Sequence, residues 1–281
     1  MKMEICKGVH QLKINFHVTP DIERYVYVYI LTGQFCYLID TGVHDSEKMI
    51  EDYICELGYK IEDIRGIFLT HAHPDHMGGA FALQKKSGCP IYASIREKDW
   101  IEDIHQQFIE RPIPNFDKLL QNSVIVDKII DKDIEIELED CLSMKILSTP
   151  GHSSGSLSYL VNQKILFSGD AILVKGDIPI YTNVKESIDS LNKLLSLQLV
   201  EYYCPAWDCV YDSSTGRRKI LEAIAVIDSI QECVEMVMKD FPDACDDFLF
   251  EIVSQRMDMV SFWQNPLFKK TILSHIDYKN E

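Results

Sequence analysis

Leu69-Thr70-His71-Ala72-His73-Pro74-Asp75-His76-Met77-Gly78-Gly79 decides the reading of this 281-residue chain. Three histidines and a carboxylate are packed between positions 71 and 76. Imidazole and carboxylate are the common protein ligands of zinc and of non-haem iron. The run Gly66-Ile67-Phe68-Leu69 reads as a buried strand, so the cluster sits on a strand-to-helix turn. Such a turn aims several side chains at one spot, which a regular strand or helix of this spacing does not. His71 and His73 can converge on one cation, and Asp75 and His76 can serve a second one nearby.

Working outward, residues from about Gly8 to Asp40 read as strands. Tyr25 to Leu31 is rich in β-branched and aromatic residues, and Gly33-Gln34 turns the chain into a second strand, Phe35 to Ile39. Met49, Ile50, Tyr53, Ile54 and Leu57 repeat at helical spacing and Gly58 ends the pattern. After the histidine loop we expect a helix from Gly78 to about Ser87 and a strand at Pro90 to Ala93. Residues 94–128, partly helical and broken at Arg111-Pro112-Ile113-Pro114, read as an insertion that covers or lines a site. Strands return at Ile134–Leu138, Leu142–Leu147, Leu157–Val161 and Lys164–Phe167. A helix is expected over Lys185–Leu199, then a short strand, Glu201–Cys204. Both halves thus run from strands into helices, a duplicated β-β-α plan. The chain beyond Gly216 reads as wholly helical. We therefore expect a main domain over 1–215 and a helical extension over 216–281.

The net charge is −16, with 46% hydrophobic and 26% charged residues. This is the composition of a globular protein, and so large an acidic excess disfavours nucleic acid and anionic membranes as partners. The basic cluster Arg217-Arg218-Lys219 reads as a solvated helix face. Nine scattered cysteines, none in a CxxC pair, point to reduced thiols and a cytoplasmic setting. We see no apolar leader and no run that would span a bilayer.

Two further stretches carry chemistry. Ser148-Thr149-Pro150-Gly151-His152-Ser153-Ser154 is a turn with one histidine among small residues, and Ile165-Leu166-Phe167-Ser168-Gly169-Asp170 is an apolar strand ending in an aspartate. Each alone is weak, since a turn histidine is usually solvated and a strand-terminal aspartate is usually a turn former.

Their order is specific. Asp40, then His71-x-His73-x-Asp75-His76, then Gly151-His152, then Gly169-Asp170 resembles the metallo-β-lactamase superfamily over about residues 8–215. The resemblance implies an α/β (α+β) fold, a four-layer αβ/βα sandwich with metals at one edge between the sheets. It implies that His71, His73 and His152 hold a first divalent ion, and that Asp75, His76 and Asp170 hold a second with Asp170 bridging. Asp40 would orient the histidine loop from behind. The metals expected are zinc, with iron or manganese as alternatives. One stretch departs from the pattern: in Cys204-Pro205-Ala206-Trp207-Asp208-Cys209, Trp207 stands where a further histidine is expected. Asp208 is then a candidate replacement ligand, and Trp207 and Tyr181 are candidate walls of the substrate pocket.

The implied activity is hydrolysis of an ester, thioester or lactone by a metal-bound hydroxide, with Asp75 orienting it or moving its proton. No GxSxG elbow or cysteine marked as a nucleophile offers another route. A secreted β-lactamase is disfavoured by the missing leader. Iron-dependent persulfide oxidation and a non-catalytic metal-binding sensor are the competing readings. A small-molecule substrate is expected, with the helical tail contributing to a homodimer or a pocket wall.

Overall fold

The computed structural model describes residues 2–280. Met1 and Glu281, the outer bounds of the two expected segments, lie outside them. Residues 26–31 alternate with period two: Val26, Val28 and Ile30 face one apolar core while Tyr29 and Leu31 face another. A strand buried on both faces needs a layer on each side, and the rest of the fold supplies them.

The first sheet runs β1 (Lys2–Cys6), β2 (Val9–Thr19), β3 (Ile22–Thr32), β4 (Cys36–Ile39), β5 (Ile64–Phe68), β6 (Ile91–Ser94) and β7 (Lys128–Ile130) in spatial order. It is antiparallel from β1 to β4 and parallel from β4 to β7. The second contains β8 (Ile134–Glu139), β9 (Leu142–Ser148), β10 (Leu157–Val161), β11 (Ile165–Gly169), β12 (Tyr202–Pro205) and β13 (Tyr211–Asp212), also in sequential order, with β11 and β12 parallel. Tyr29, Leu31, Ile39 and Phe68 of the first sheet meet Ile146, Tyr159, Val161 and Phe167 of the second. Full burial of each such side chain favours folding by about 1.5–3 kcal/mol.

Helices cover the two outer faces. α1 (Ser46–Glu56), α2 (Pro74–Met77), α3 (Ala80–Ser87), α4 (Lys98–Glu102), α5 (Ile104–Glu110) and α6 (Phe116–Leu119) belong to the first half. Ile50, Ile54, Leu83 and Ile101 from this set pack with Ile30, Leu38 and Ile67. On the second sheet, α7 (Val184–Leu195) and the first half of α8 (Ser213–Asp240) bury Leu191, Leu194, Ile220, Ala223 and Ile227 against Leu160, Leu166 and Tyr203. The far half of α8 forms a separate core with α9 (Asp246–Arg256) and α10 (Pro266–Asn280), through Val234, Val237, Leu249, Val253, Phe268 and Ile272. The result is the four-layer αβ/βα sandwich with C-terminal helices. Among the described residues no helix is long and apolar enough to cross a membrane.

Some boundaries differ from those expected. β1, with the polar sequence Lys-Met-Glu-Ile-Cys, and the two-residue β13 are edge strands without a hydrophobic signature. Helix α8 starts at Ser213, because the Asp212 side chain accepts the Thr215 backbone N–H at 2.7 Å and caps it. Helix α7 stops at Leu195, and Leu199 is exposed.

Candidate metal centre

The C-terminal ends of β4, β5, β9, β11 and β12 meet along one edge of the sandwich. Asp40 follows β4, the histidine loop follows β5, and His152 lies in the turn after β9; Asp170 follows β11 and Trp207 lies just after β12. Three hydrogen bonds tie the two sheets together there. The Leu157 N–H donates to Thr70 O at 2.8 Å, Tyr27 N–H to Ala206 O at 2.8 Å, and Tyr159 OH to Leu69 O at 2.5 Å. Gly169 has φ of +51°, and a Cβ there would stand 2.8 Å from Thr70 Cβ. Only glycine allows this close crossing of the two halves.

The hydrogen-bond network orients three of the four imidazoles. Asp40 accepts from Thr70 N–H at 2.7 Å, Thr70 Oγ1–H at 2.8 Å and His76 Nδ1 at 2.8 Å. A carboxylate only accepts, so the single hydroxyl proton of Thr70 goes to Asp40 and His76 Nδ1 is protonated. Thr70 Oγ1 must then accept from His71 Nδ1–H, 2.9 Å away. His152 Nδ1–H donates to the carbonyl of Ile180 at 2.8 Å. The Nε2 atoms of His71, His76 and His152 are thereby left facing inward, the arrangement that metal-binding histidines require.

These atoms converge. His73 Nδ1 lies 2.8 Å from His71 Nε2 and 3.0 Å from His152 Nε2. With Asp170 they form one cluster whose four donor atoms all lie within 4.8 Å of one another. Beside it, His76 Nε2 lies 3.4 Å from Asp170 Oδ2 and 3.6 Å from Asp75 Oδ2. His76 Nε2 and Asp170 Oδ1 are buried without a hydrogen-bond partner. Buried orphan atoms of this kind are uncommon and call for a partner such as an ion. The residues present therefore fit divalent cations.

Electrostatics point the same way. Burial, followed by neighbouring imidazoles and Arg111, pushes His71 and His73 well below the ordinary histidine value, so both are neutral donors at neutral pH. Burial lowers His152 as well. His76 goes up instead: burial opposes its charge, but Asp170, Asp40 and Asp75 together outweigh burial. Burial raises Asp75, while Asp170 is held down against burial by His76 and His152. The second position thus favours positive charge.

Glu97, which the sequence reading did not single out, joins the two ligand-bearing loops. It accepts from Ala72 N–H at 3.0 Å, Ser153 OH at 2.8 Å and Gly155 N–H at 2.6 Å. It follows β6, at the same sheet edge as the other site residues, and that position was the available signal. Two candidates lie elsewhere than expected. Asp208 turns away: its carboxylate accepts from Tyr211 OH and from Cys209 N–H, and it is not among the gathered donors. Tyr181 is fully buried, with its OH 2.5 Å from His275 Nε2, and it does not line the main cavity. Trp207 does line that cavity, a space of about 290 Å³ over His73, Asp75, His152 and Asp170. The 94–128 segment contributes Arg111, Pro112, Ile113, Pro114 and Leu119 to the same walls, and the C-terminal region adds Asn265, Pro266 and Leu267.

The family described as the metallo-beta-lactamase superfamily matches residues 21–206. The chain belongs to that superfamily. It is 29% identical over 153 residues to a probable metallo-hydrolase of Bacillus subtilis (53% of this chain, 66% of that protein). It is 31% identical over 141 residues to the hydroxyacylglutathione hydrolase GloC of Haemophilus influenzae (50% and 62%). The chain thus spans less than two thirds of the length of either relative. A metallo-beta-lactamase family protein from Thermus thermophilus superposes with a TM-score of 0.74 at 18% identity, covering 99% of this chain and 94% of that one. That superposition covers the C-terminal helices, so they form part of the shared fold.

Proposed function

We propose that this protein is a metal-dependent hydrolase of esters, thioesters or lactones with a dinuclear zinc centre. His71, His73 and His152 would hold the first ion, and Asp75, His76 and Asp170 the second, with Asp170 between them. The observation that carries this is the pair of buried orphan atoms, His76 Nε2 and Asp170 Oδ1, beside three further imidazole nitrogens. The hydrolase names of the sequence relatives support the class of reaction.

A divalent cation held there would lower the pKa of a bound water to roughly 7 and would polarise a carbonyl oxygen. The protein's own groups do the rest. Asp75 would orient the water or carry its proton toward the leaving group. Asp40 and Thr70 hold His71 and His76 in their donor tautomers. Trp207 and Phe16, packed edge to face with centroids 6.3 Å apart, wall off solvent from the apolar side. The helical segment 216–281 acts as an extension that completes the pocket wall.

A panel of carboxylic ester, thioester and lactone substrates tests this on zinc-loaded protein. Turnover of at least one class, abolished by Asp170→Asn, is expected. A zinc-loaded protein that hydrolyses no member of the panel would overturn the reading.

A further inference from the structure

The main cavity has five charged side chains in its walls: Arg24, Asp75, Arg111, Asp170 and Asp177. Arg24 is committed to Asp177, with two guanidinium contacts at 3.0 and 3.2 Å. Asp75 and Asp170 belong to the metal centre. Arg111 alone has no side-chain partner: among the described residues it forms neither an ion pair nor a side-chain hydrogen bond. A cation in a largely apolar cavity is costly unless something answers its charge.

Arg111 is also held in place. It directly follows α5, its backbone N–H donates to Gln107 O at 2.8 Å, and Pro112 after it bars a further helical turn. The Gln107 side chain in turn donates to the carbonyl of Ala72, inside the histidine loop. The Arg111 backbone is therefore tethered to the metal centre through one helix. Burial pulls it down to about 10, with Asp75 and Asp170 the largest opposing influences, so it remains a cation at neutral pH. Glu97, the third carboxylate acting on Arg111, already accepts from Ala72, Ser153 and Gly155, so once divalent ions take up the charge of the two aspartates the complement left for Arg111 is an anion brought by the substrate.

We propose that Arg111 is the carboxylate-recognition residue of this site, and that the substrate is an acyl compound with an apolar body and a free carboxylate. This rests on the hydrolase reading above. Phe16, Ile113, Leu119, Ile172, Leu173 and Leu267 supply the apolar walls. The planar fork of a guanidinium matches a carboxylate in two parallel hydrogen bonds. A single unpaired arginine suits a monoanion better than a doubly charged phosphate.

The test uses zinc-loaded wild-type, Arg111→Gln and Arg111→Lys proteins. The first assay compares the N-acetylcysteamine thioester of adipate, carrying a free carboxylate, with the same thioester capped as a methyl ester. Wild type is expected to favour the free acid by about tenfold to a hundredfold in kcat/KM, mainly through KM. Arg111→Gln should lose that preference by losing far more kcat/KM on the free acid than on the capped thioester, and Arg111→Lys should keep part of it. Equal loss on both thioesters, or no preference in wild type, overturns the proposal. The second assay is calorimetric titration with hexanoate and hexanamide, which needs no turnover. Hexanoate binding that Arg111→Gln weakens about tenfold or more supports the proposal; binding equal in wild type and Arg111→Gln overturns it by placing the anion on the metals. Failure of both thioesters to react, with Arg111-dependent hexanoate binding intact, would sink the hydrolase reading and leave the anion site standing.

Discussion

Replacing Asp40 by Asn tests whether the hydrogen-bond network behind the histidines sets their ability to bind metal. Asp40 sits at φ of +60°, a conformation that asparagine tolerates as readily as aspartate, so the backbone is not the variable. The Asp40 oxygens accept from Thr70 N–H, Thr70 Oγ1–H and His76 Nδ1–H. An asparagine that keeps its oxygen toward Thr70 N–H turns an NH₂ group toward the other two. His76 Nδ1 must then become an acceptor, which moves its proton to Nε2 and removes the inward lone pair. Thr70 Oγ1 loses its anchor, and with it the constraint that keeps His71 Nδ1 protonated. Lost orienting partners of this kind typically lower metal affinity 10–100-fold, about 1.4–2.8 kcal/mol. Chelator-competition titration of zinc into wild type and Asp40→Asn measures this directly. A variant that folds normally and binds both zinc ions with wild-type affinity refutes the tautomer argument.

Other predictions follow the same logic. Glu97→Gln puts an amide against the N–H and hydroxyl donors of the two ligand loops; chemical denaturation should show a loss of about 1–3 kcal/mol, and an unchanged midpoint would contradict that role. Gly169→Ala places a methyl on Thr70 at an unfavourable φ, so both stability and zinc affinity should fall, the latter by isothermal titration. Asp208→Ala should keep full zinc stoichiometry, because that carboxylate is turned to Tyr211 and Cys209; loss of an ion by elemental analysis would restore it as a ligand. His275 is lowered by burial to about 4 from an ordinary 6.5. Its folded value lies below its unfolded one, so its contribution is present above pH 6.5 and is lost as pH falls toward 4, roughly 3 kcal/mol in all. Urea unfolding of His275→Gln between pH 7 and 4 should therefore show a shallower acid limb than wild type.

The candidate ligand loops were legible because their chemistry is written in short, strand-terminal stretches: His71 to His76, Gly151-His152 and Gly169-Asp170. The layered fold was legible because strands such as Tyr25–Leu31 are apolar on both faces. Direction was harder. Trp207 and Asp208 are adjacent just beyond a strand, where neighbouring side chains point to opposite sides, so when one faces the cavity the other faces Tyr211. Tyr181 lies among the second-half loops and reads from sequence as a candidate pocket wall, but its partner, His275, lies 94 positions away, and nothing local announces that pairing. Glu97 and Arg111 sit in the irregular 94–128 segment, where no periodicity singles them out. Their roles come only from the tertiary placement of that segment over the histidine loop.

The central claim is that the imidazoles and carboxylates at this sheet edge hold metal. Anomalous diffraction from crystals of the zinc-loaded protein, collected on both sides of the zinc absorption edge, tests it most directly. The account predicts one zinc peak at about 2.0–2.1 Å from His71 Nε2, His73 Nδ1 and His152 Nε2, and a second ligated by His76 Nε2 and Asp75, with Asp170 between the two. Zinc bound elsewhere on the protein, with these side chains free of it, would contradict it.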